Sequence, residues 1–386
     1  MLKNSVLIFT FTLFLFNCQQ SRPVKDCSTF TEAADPCPDT LADWSSVEQG
    51  LHGTIGSTDI RYAKSSFPVI TPDFAWSGSA WLGERVSAQL VLWSGEPVQQ
   101  VECEFSDFKS KDNKMMPASV AQARFVRYVI TDEFADGCGR RKPEDYASSL
   151  SPDMLDPLGC FDMEPQTTRP VWISFNIPPD AAPGIYNSTL TIFSAGSKCM
   201  SFTFQLEVLP RTLPPGTDWE FHLDLWQNPY AVARLHGVDP WSNPHWEALQ
   251  PIMKMLADAG QKVITATINK RPWGGQTQDA FDSMIGWTKK TNGSWDYDYT
   301  IFDNWVQFMQ GLGIKKQINC YSMVPWGNEL YYSDEKSGGE IKVKVKPGTK
   351  EYNEIWVPFL KDFSKHLKEK NWLEITRIAM DERNPT

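Results

Sequence analysis

The fold of this chain is decided around residues 209–216, which read LPRTLPPG. Three prolines and one glycine in eight residues make a stiff segment that suits neither a helix interior nor a central strand. Before this segment the apolar residues recur with a period of two, whereas after it strand-like runs alternate with helical stripes. The segment therefore predicts a boundary between a strand-rich domain and a βα domain.

The part before the boundary is predicted to be an antiparallel β-sandwich. Alternating or continuous apolar runs of strand length lie at residues 87–93, 101–105, 171–177 and 186–192. The dipeptide Pro183-Gly184 is a turn signal directly before the last of these runs. Many short strands with turn signals between them are typical of a sandwich.

The part after the boundary is predicted to contain four βα units. Its strand-like runs lie at residues 221–226, 263–268, 316–321 and 375–380. The helices between them have apolar stripes at i, i+3, i+4 spacing, which are Trp246, Leu249, Met253 and Leu256, then Phe302, Trp305, Val306 and Met309, then Ile355, Phe359, Phe363 and Leu367. Two inserts with hairpin character follow the second and third strands, around Asn292-Gly293 and around residues 341–345.

Four βα strands in about 170 residues match the first half of a (β/α)₈ TIM-type barrel, because a whole barrel takes ~250 residues. An open four-stranded sheet is the structural alternative. The chain stops four residues after an acidic pair at the end of the fourth strand, so we expect it to be a piece of a longer protein. The predicted fold class is a mixed multidomain protein with a sandwich at residues 41–210 and a partial barrel at 217–386.

The composition excludes some classes of function and favours one. Among 386 residues, Lys plus Arg is 37 and Asp plus Glu is 47, a net charge of 37 − 47 = −10 without a basic block. Nucleic-acid binding is therefore disfavoured. The chain has 16 tryptophans, and tryptophan faces stack on the C–H faces of sugar rings. We take this as an indication that the protein handles carbohydrate.

The first 18 residues are predicted to be a lipoprotein signal peptide. Lys3 precedes an apolar run from Val6 to Phe16, which is too short to span a bilayer, and Cys18 follows it. Lipidation of Cys18 would anchor the protein to a membrane in the bacterial cell envelope, at the periplasmic face or the cell surface. The alternative is an ordinary secretory signal with a chance cysteine. Polar residues at 19–40 would then form a tether.

Cysteine and histidine spacing predicts neither a metal site nor a cofactor. Seven cysteines remain without Cys18, an odd number, and Cys138 and Cys160 are a candidate bridge because they flank an irregular stretch. The five histidines are scattered and no CxxC pair occurs, so a zinc site is not expected.

Asp381-Glu382 is the feature with the clearest chemistry. The pair follows an apolar strand, and barrel enzymes place their catalytic groups at that end of the strand. Alternation directs Asp381 to the same side as Ala379, towards the barrel axis, and away from Ile378 and Met380. The alternative is a solvated acidic strand end, since Asp-Glu also occurs at 132–133 and 334–335.

Adjacent carboxyl groups suit one kind of glycoside hydrolysis. Ordinary glycosidases hold two carboxyl groups across the scissile bond, which neighbouring residues do poorly. In substrate-assisted hydrolysis, the 2-acetamido oxygen of the sugar attacks C1 instead of an enzyme nucleophile. Asp381 would then hold the acetamido N–H as a carboxylate, and Glu382 would protonate the leaving oxygen.

Aromatic and polar residues near the other strand ends are candidate substrate-binding residues. Trp226, Trp273 and Trp326 end or follow the first three predicted strands and are expected on the same face as Asp381. Each could equally be an aromatic that anchors a loop. In a strand, His222 and Asp224 would point to the same side as Trp226, because side chains alternate along the strand. They are therefore candidate pocket-lining residues, and the alternative is a buried, hydrogen-bonded His–Asp pair.

The sequence resembles glycoside hydrolase family 123, the β-N-acetylgalactosaminidases, from about residue 40 to 386. The segments that carry this resemblance are WLGERVSAQ at 81–89, PGIY at 183–186, DLWQNP at 224–229 and MDE at 380–382. The resemblance implies a β-sandwich before a (β/α)₈ barrel, with Asp381 orienting the acetamido group and Glu382 acting as general acid/base. Asn228, within the third segment, is taken as a further substrate-binding residue.

The leading hypothesis is therefore a retaining glycosidase that releases terminal β-linked N-acetylgalactosamine from a glycan. A β-N-acetylglucosaminidase uses the same acetamido chemistry and is the second hypothesis. A third hypothesis is a non-catalytic glycan-binding lipoprotein, because half of the expected barrel is absent from the sequence.

Overall fold

The computed structural model describes residues 27, 31–131 and 149–382. The described residues belong to two compact units, the first ending at Leu213 and the second beginning at Pro214. The first unit consists mostly of strands, and the second combines helices with strands. The protein is thus a mixed α/β multidomain protein, rich in strands.

The first unit is built from short strands, as period-two sequences predict. Its strands are β1 (His52–Gly56), β2 (Ala75–Leu82), β3 (Arg85–Ser94), β4 (Val98–Phe105), β5 (Phe108–Ser110), β6 (Met115–Met116), β7 (Ala121–Thr131), β8 (Ser149–Leu155), β9 (Cys160–Met163), β10 (Thr167–Asn176), β11 (Gly184–Ser194) and β12 (Ser197–Thr212).

These strands form two sheets with a common apolar core. One sheet has the order β1-β3-β10-β7-β8, and the other has the order β2-β12-β11-β4-β9 with β5 and β6 attached to β11. Leu90 and Val171 of the first sheet and Leu190 and Phe204 of the second are fully buried in one cluster. A purely antiparallel sandwich was expected, but β2 pairs with β12 in parallel, whereas the other strand pairs of the unit are antiparallel.

The start of the described chain is fixed to this unit. Cys27 forms a disulfide with Cys160, so the predicted bridge between Cys138 and Cys160 is wrong, and Cys138 lies outside the described residues. The Glu32 carboxylate is also buried, with Oε1 and Oε2 accepting hydrogen bonds from Arg169 at 2.5 and 2.9 Å. Cys27 and Glu32, which the prediction placed in the tether at 19–40, therefore pack on the sandwich.

The second unit alternates helices with strands and adds two hairpins. Its elements are α1 (Pro229–His236), α2 (Asn243–Asp258), β13 (Val263–Thr267), β14 (Gly286–Lys289), β15 (Trp295–Asp298), α3 (Thr300–Gly311), β16 (Gln317–Tyr321), β17 (Glu329–Asp334), β18 (Gly339–Lys344), α4 (Lys350–Glu369) and β19 (Thr376–Ala379).

Parallel strands β13, β16 and β19 form a three-stranded sheet in that order. Apolar residues of this sheet pack on the helices in one core, as the sequence predicts. The stripe on α3 is confirmed, since Phe302, Trp305, Val306 and Met309 are all fully buried. The described residues thus form a curled half-barrel sheet and not a closed barrel.

The first predicted strand, at residues 221–226, is wrong as a regular element. It has only an isolated parallel bridge between Leu223 and Gln261. The Gln261 side chain takes the place of the next backbone partner, with Oε1 accepting from the Leu225 N–H at 2.9 Å and Nε2 donating to the Leu225 carbonyl at 3.1 Å.

A second glutamine completes this attachment. Gln227 accepts a hydrogen bond from the Thr265 N–H at 2.8 Å and is itself 2% exposed. Because side-chain amides replace the ladder bonds, the segment runs along β13 without strand geometry. It nevertheless delivers Trp226 and Asn228 to the same end of the sheet as Asp381.

The two predicted hairpin inserts join into one four-stranded sheet with the order β15-β14-β17-β18. A parallel pairing between β14 and β17 connects them. The Trp287 indole donates a hydrogen bond to the Ile268 carbonyl at 3.0 Å, directly after β13. This second sheet is therefore attached to the carboxyl end of the parallel sheet.

Candidate active site

Asp381 and Glu382 lie two and three residues after the end of β19 and line a cavity of about 400 Å³. Two other parts of the chain line the same cavity: the end of the segment that was predicted as the first strand, and the loop after β13. Their lining residues are Trp226, Gln227, Asn228, Trp273, Gln276, Thr277 and Phe281. Carboxyl ends of parallel strands meet at one edge of a sheet, so three separate segments of the sequence converge here.

A tryptophan fixes the Asp381 carboxylate. The Trp326 Nε1–H donates a hydrogen bond to Asp381 Oδ2 at 2.6 Å, a short distance that fits a charge-assisted bond. Because the indole engages Oδ2, Oδ1 is the oxygen that remains to accept a hydrogen bond from a ligand. Trp326 therefore positions the carboxylate, whereas the sequence predicted direct contact with substrate.

Aromatic rings form one wall of the cavity. Trp226 lies against Trp273, with ring centroids 5.4 Å apart, and both rings contact Tyr321 at 4.9 and 5.1 Å. Trp226 is 49% exposed and presents a face to the cavity, while Trp273 is 4% exposed and supports it from behind. Of the two predicted tryptophans that line the cavity, Trp226 thus offers the larger surface to a ligand.

His222 and Asp224 do not line this cavity, contrary to prediction. Asp224 Oδ2 accepts a hydrogen bond from the Asn319 side chain at 3.0 Å, which places it beside a residue two positions before the end of β16. Burial raises the pKa of Asp224, although the nearby His222 and the hydrogen bond from Asn319 oppose this. His222 is exposed. Asp224 therefore lies beside the middle of β16, and the cavity at Asp381 begins two residues later along the segment, at Trp226.

Asn228 lines the cavity and also has a structural role. Its Oδ1 accepts a hydrogen bond from the Ala231 N–H at 3.0 Å, which caps α1, and Pro229 occupies the first helical turn. The side-chain oxygen is therefore engaged, and the amide group of Asn228 remains for a ligand.

Tyr321 is a site residue that sequence reasoning missed. It ends β16 and is 4% exposed between Trp226 and Trp273. Burial raises its pKa to about 12, and the carboxylates of Asp224 and Asp381 add to this effect. The hydroxyl therefore stays protonated and available as a donor beside Asp381. The sequence did contain a signal for this role, since Tyr321 is the last residue of a predicted strand at the same edge of the sheet as Asp381.

Gln276, Thr277 and Phe281 were also missed. They belong to the irregular segment between β13 and β14, where no periodicity marks them. Gln276 is exposed and Thr277 half-buried at the cavity, so both present polar groups there.

Two further findings concern the part of the chain that the structure describes. It contains no group of three or more histidine, cysteine, aspartate or glutamate side chains that could hold a metal ion. It also contains no helix long and apolar enough to cross a membrane. Cys18 lies outside this part.

A carboxylate pair beside stacked tryptophans at the end of a parallel strand is typical of carbohydrate-active enzymes. The family models agree with this class. The glycoside hydrolase 123 catalytic domain matches residues 226–386, and the glycoside hydrolase 123 N-terminal domain matches residues 55–194. The chain belongs to glycoside hydrolase family 123.

A solved structure supports the same assignment. The chain is similar to a family 123 glycoside hydrolase from Clostridium perfringens, studied for glycolipid glycan hydrolysis, with 29% identity and a TM-score of 0.79. The similarity covers 87% of this chain and 59% of that protein, so the chain spans less than two thirds of the length of its relative. Among curated proteins, no sequence matches the chain.

Other solved structures have much lower similarity. An alkylpurine DNA glycosylase from Pseudomonas fluorescens gives a TM-score of 0.17 at 14% identity over 33% of this chain and 27% of its own. A PapD-like domain of human CEP192 gives 0.19 at 14% identity over 35% and 81%. These values are too low to support any inference about fold or function.

Proposed function

We propose that the protein contributes the catalytic carboxylates of a retaining glycosidase that releases terminal β-linked N-acetylgalactosamine from glycans. The observation that carries this proposal is the Asp381-Glu382 pair in a cavity walled by Trp226. The family assignment supports hydrolysis of a glycosidic bond. The substrate and the mechanism are our inference from the chemistry of the pair.

In this mechanism Asp381 binds the acetamido group of the substrate. Oδ2 is held by Trp326, so Oδ1 accepts the acetamido N–H and turns the carbonyl oxygen towards C1. Attack of that oxygen on C1 breaks the glycosidic bond and forms a cyclic oxazolinium ion. The ionised Asp381 stabilises the positive charge that develops on nitrogen.

Glu382 acts as general acid and then as general base. As an exposed residue at the mouth of the cavity, it can reach the leaving oxygen and give it a proton. It then takes a proton from the water that opens the oxazolinium ion at C1. Two displacements at C1 retain the β configuration. Stacking on Trp226 would hold the apolar face of the sugar.

The test uses 4-nitrophenyl glycosides and the longest chain that the gene encodes. Release of nitrophenol from the β-N-acetylgalactosaminide is expected, together with inhibition by a thiazoline analogue of the cyclic intermediate. The matched control is the 4-nitrophenyl β-galactoside, which has a 2-hydroxyl in place of the acetamido group. If both substrates are cleaved at equal rates, acetamido participation is wrong.

The same assay separates the competing hypotheses. Faster cleavage of the β-N-acetylglucosaminide identifies an N-acetylglucosaminidase, since only the configuration at C4 differs. Glycan binding without release of nitrophenol from either substrate supports the non-catalytic hypothesis.

The location of the protein and the rest of the barrel are separate proposals. We propose that Cys18 carries a lipid that anchors the protein in the bacterial cell envelope, and that β13, β16 and β19 belong to a complete (β/α)₈ barrel. Labelled palmitate should enter the wild type, and Cys18→Ser should abolish labelling and move the protein to the soluble fraction. Unchanged membrane partition of this variant would contradict the anchor.

A further inference from the structure

The sheet made by the two hairpin inserts has a groove of its own. Between this sheet and α4 lies a cavity of about 710 Å³, larger than the cavity at Asp381 and without a lining residue in common with it. The proposed hydrolysis at Asp381 and Glu382 uses no residue of this groove. We call it the hairpin groove.

Trp295 is the aromatic surface of the hairpin groove. The ring is half-buried and is held by edge contacts with Tyr332 and Trp287, whose ring centroids lie 5.0 and 6.1 Å away. Val343 of β18 and Ile355 of α4 extend the apolar surface. A rigid, partly exposed indole with aliphatic neighbours suits the C–H face of a sugar ring.

The charges around this surface cancel. Lys289 and Lys344 stand on the sheet side, and Glu351 and Glu354 stand on the helix side. The Lys289 ammonium lies over the Trp295 ring, 5.7 Å from its centre, so a hydrogen-bond donor borders the aromatic surface. Glu354 also contacts the Lys350 ammonium at 3.5 Å, outside the lining of the groove. Among the lining residues, two positive and two negative side chains favour neither an anion nor a cation. The lysine and glutamate side chains favour a neutral ligand with peripheral groups that both donate and accept hydrogen bonds.

Pro358 of α4 lines the hairpin groove and interrupts the hydrogen bonds of the helix there. Pro358 lacks an N–H, so the backbone carbonyl of Glu354, four residues earlier, cannot receive its usual helical hydrogen bond. Sugar hydroxyl groups can donate to the carboxylates of the groove and accept from its lysine ammonium groups.

We propose that the hairpin groove is an accessory binding site for a neutral pyranose of the glycan, distinct from the cavity at Asp381. The proposal rests on the proposed function only in taking a glycan as the substrate. The sheet that carries the groove is attached at the carboxyl end of β13, the same end of the parallel sheet as Asp381. The groove would therefore bind inner sugars of a glycan on the catalytic side of the unit.

The test is calorimetric titration of the Glu382→Gln chain, in which loss of the general acid slows turnover. The probes are a neutral tetrasaccharide ending in β-linked N-acetylgalactosamine and the trisaccharide left when that sugar is removed. The trisaccharide should bind, and Trp295→Ala should weaken its binding at least tenfold. Trp226→Ala, which alters the other cavity, should leave trisaccharide binding unchanged.

A second variant guards against misfolding of Trp295→Ala. Lys344→Ala combined with Glu354→Ala removes only exposed side chains and should weaken binding several-fold, whereas Lys361→Ala on the same helix should not. The proposal is overturned if the trisaccharide does not bind, if Trp295→Ala binds it as well as the parent, or if Trp226→Ala abolishes its binding.

Failure of the proposed function would look different. In the otherwise wild-type chain, Trp295→Ala should leave hydrolysis of the 4-nitrophenyl monosaccharide unchanged, because that substrate has no inner sugars. A chain that never cleaves this substrate contradicts the proposed hydrolysis, while the titration with the trisaccharide still decides the hairpin groove.

Discussion

The sandwich unit buries its charges as pairs, whereas the βα unit leaves carboxylates at a cavity without a cation. Arg169 pairs with Glu32 and Arg127 pairs with Asp156, each at 2.5 Å and with side chains at most 6% exposed. In contrast, the described residues provide Asp381 with a neutral indole and with no salt bridge.

This difference distinguishes charged groups that stabilise the fold from charged groups that are available for catalysis. A buried ion pair is satisfied and rigid, and removal of one partner leaves an uncompensated charge. A carboxylate at a cavity is free to bind a ligand or to exchange a proton, because no cation competes for its oxygen atoms. We therefore expect substitutions in the sandwich to change stability and substitutions at the cavity to change activity.

The largest expected effect is loss of activity in Glu382→Gln. Removal of the general acid should reduce kcat by about 10²–10⁴-fold, and less with nitrophenol, which needs little protonation to leave. The free energy of unfolding should change by less than ~0.5 kcal/mol, because the side chain is exposed. Steady-state kinetics and urea unfolding provide the two measurements.

The control for this prediction is Glu335→Gln, in the other described Asp-Glu pair. Glu335 accepts a hydrogen bond from the Thr291 N–H in the hairpin sheet and does not line the cavity. Equal loss of activity in both variants would remove the distinction between the two pairs. Asp381→Asn should lose activity whatever the leaving group, because the oxazolinium ion needs the negative charge.

Arg169→Met should destabilise the sandwich by about 3–5 kcal/mol, because Glu32 would stay buried without its cation. The guanidinium also packs over the Phe161 ring at 4.2 Å, a contact that methionine only partly replaces. Urea unfolding followed by circular dichroism measures the loss.

Arg234→Met provides the comparison, since Arg234 pairs with Asp279 at the surface with a side chain 49% exposed. An exposed pair contributes only about 0–1 kcal/mol. If both arginine variants lose the same free energy of unfolding, burial does not distinguish the two pairs.

Acid should weaken the sandwich through Glu32. Burial by itself raises the pKa of this carboxyl, but the hydrogen bonds and charge of Arg169, with the Tyr128 N–H and Lys64, lower it from 4.5 to about 2. As the pH falls, Glu32 is therefore protonated at a higher pH in the unfolded chain than in the folded chain. Glu32 contributes about 3 kcal/mol above pH 4.5, and this contribution declines as the pH falls from 4.5 to 2.

Glu32→Gln should flatten this part of the pH dependence of the free energy of unfolding. Glu164→Gln is the matched variant, because Glu164 contacts the same Lys64 but has a side chain 70% exposed. If the free energy of unfolding depends on pH in the same way in Glu32→Gln and in the wild type, a group other than Glu32 causes the loss of stability in acid.

The smallest expected effect belongs to Trp326→Phe. Loss of the indole N–H frees Asp381 Oδ2 and should reduce kcat by about 10–100-fold, because one hydrogen bond to a charged group is worth ~1.5–3 kcal/mol. Trp219→Phe removes an equivalent indole bond, to the Pro214 carbonyl, and should leave kcat unchanged. An unchanged kcat in Trp326→Phe would mean that the indole does not position Asp381.

The sequence by itself determined the local elements of this protein. The stripe of Phe302, Trp305, Val306 and Met309 specifies α3, because helical periodicity puts these side chains on one face. The apolar run before Asp381 similarly indicated a strand that ends at the acidic pair. Both signals are contained within about a dozen residues, so short-range patterns reveal them.

Only the tertiary structure decided which distant residues meet. The disulfide joins Cys27 to Cys160 across 133 residues, and the Asp381 carboxylate finds its indole donor 55 residues away. Gln261 replaces strand bonds for residues 221–226 through its side chain, which no backbone periodicity records. Periodicity shows which face of an element is apolar, whereas these partners depend on how the packed elements bring side chains together in space.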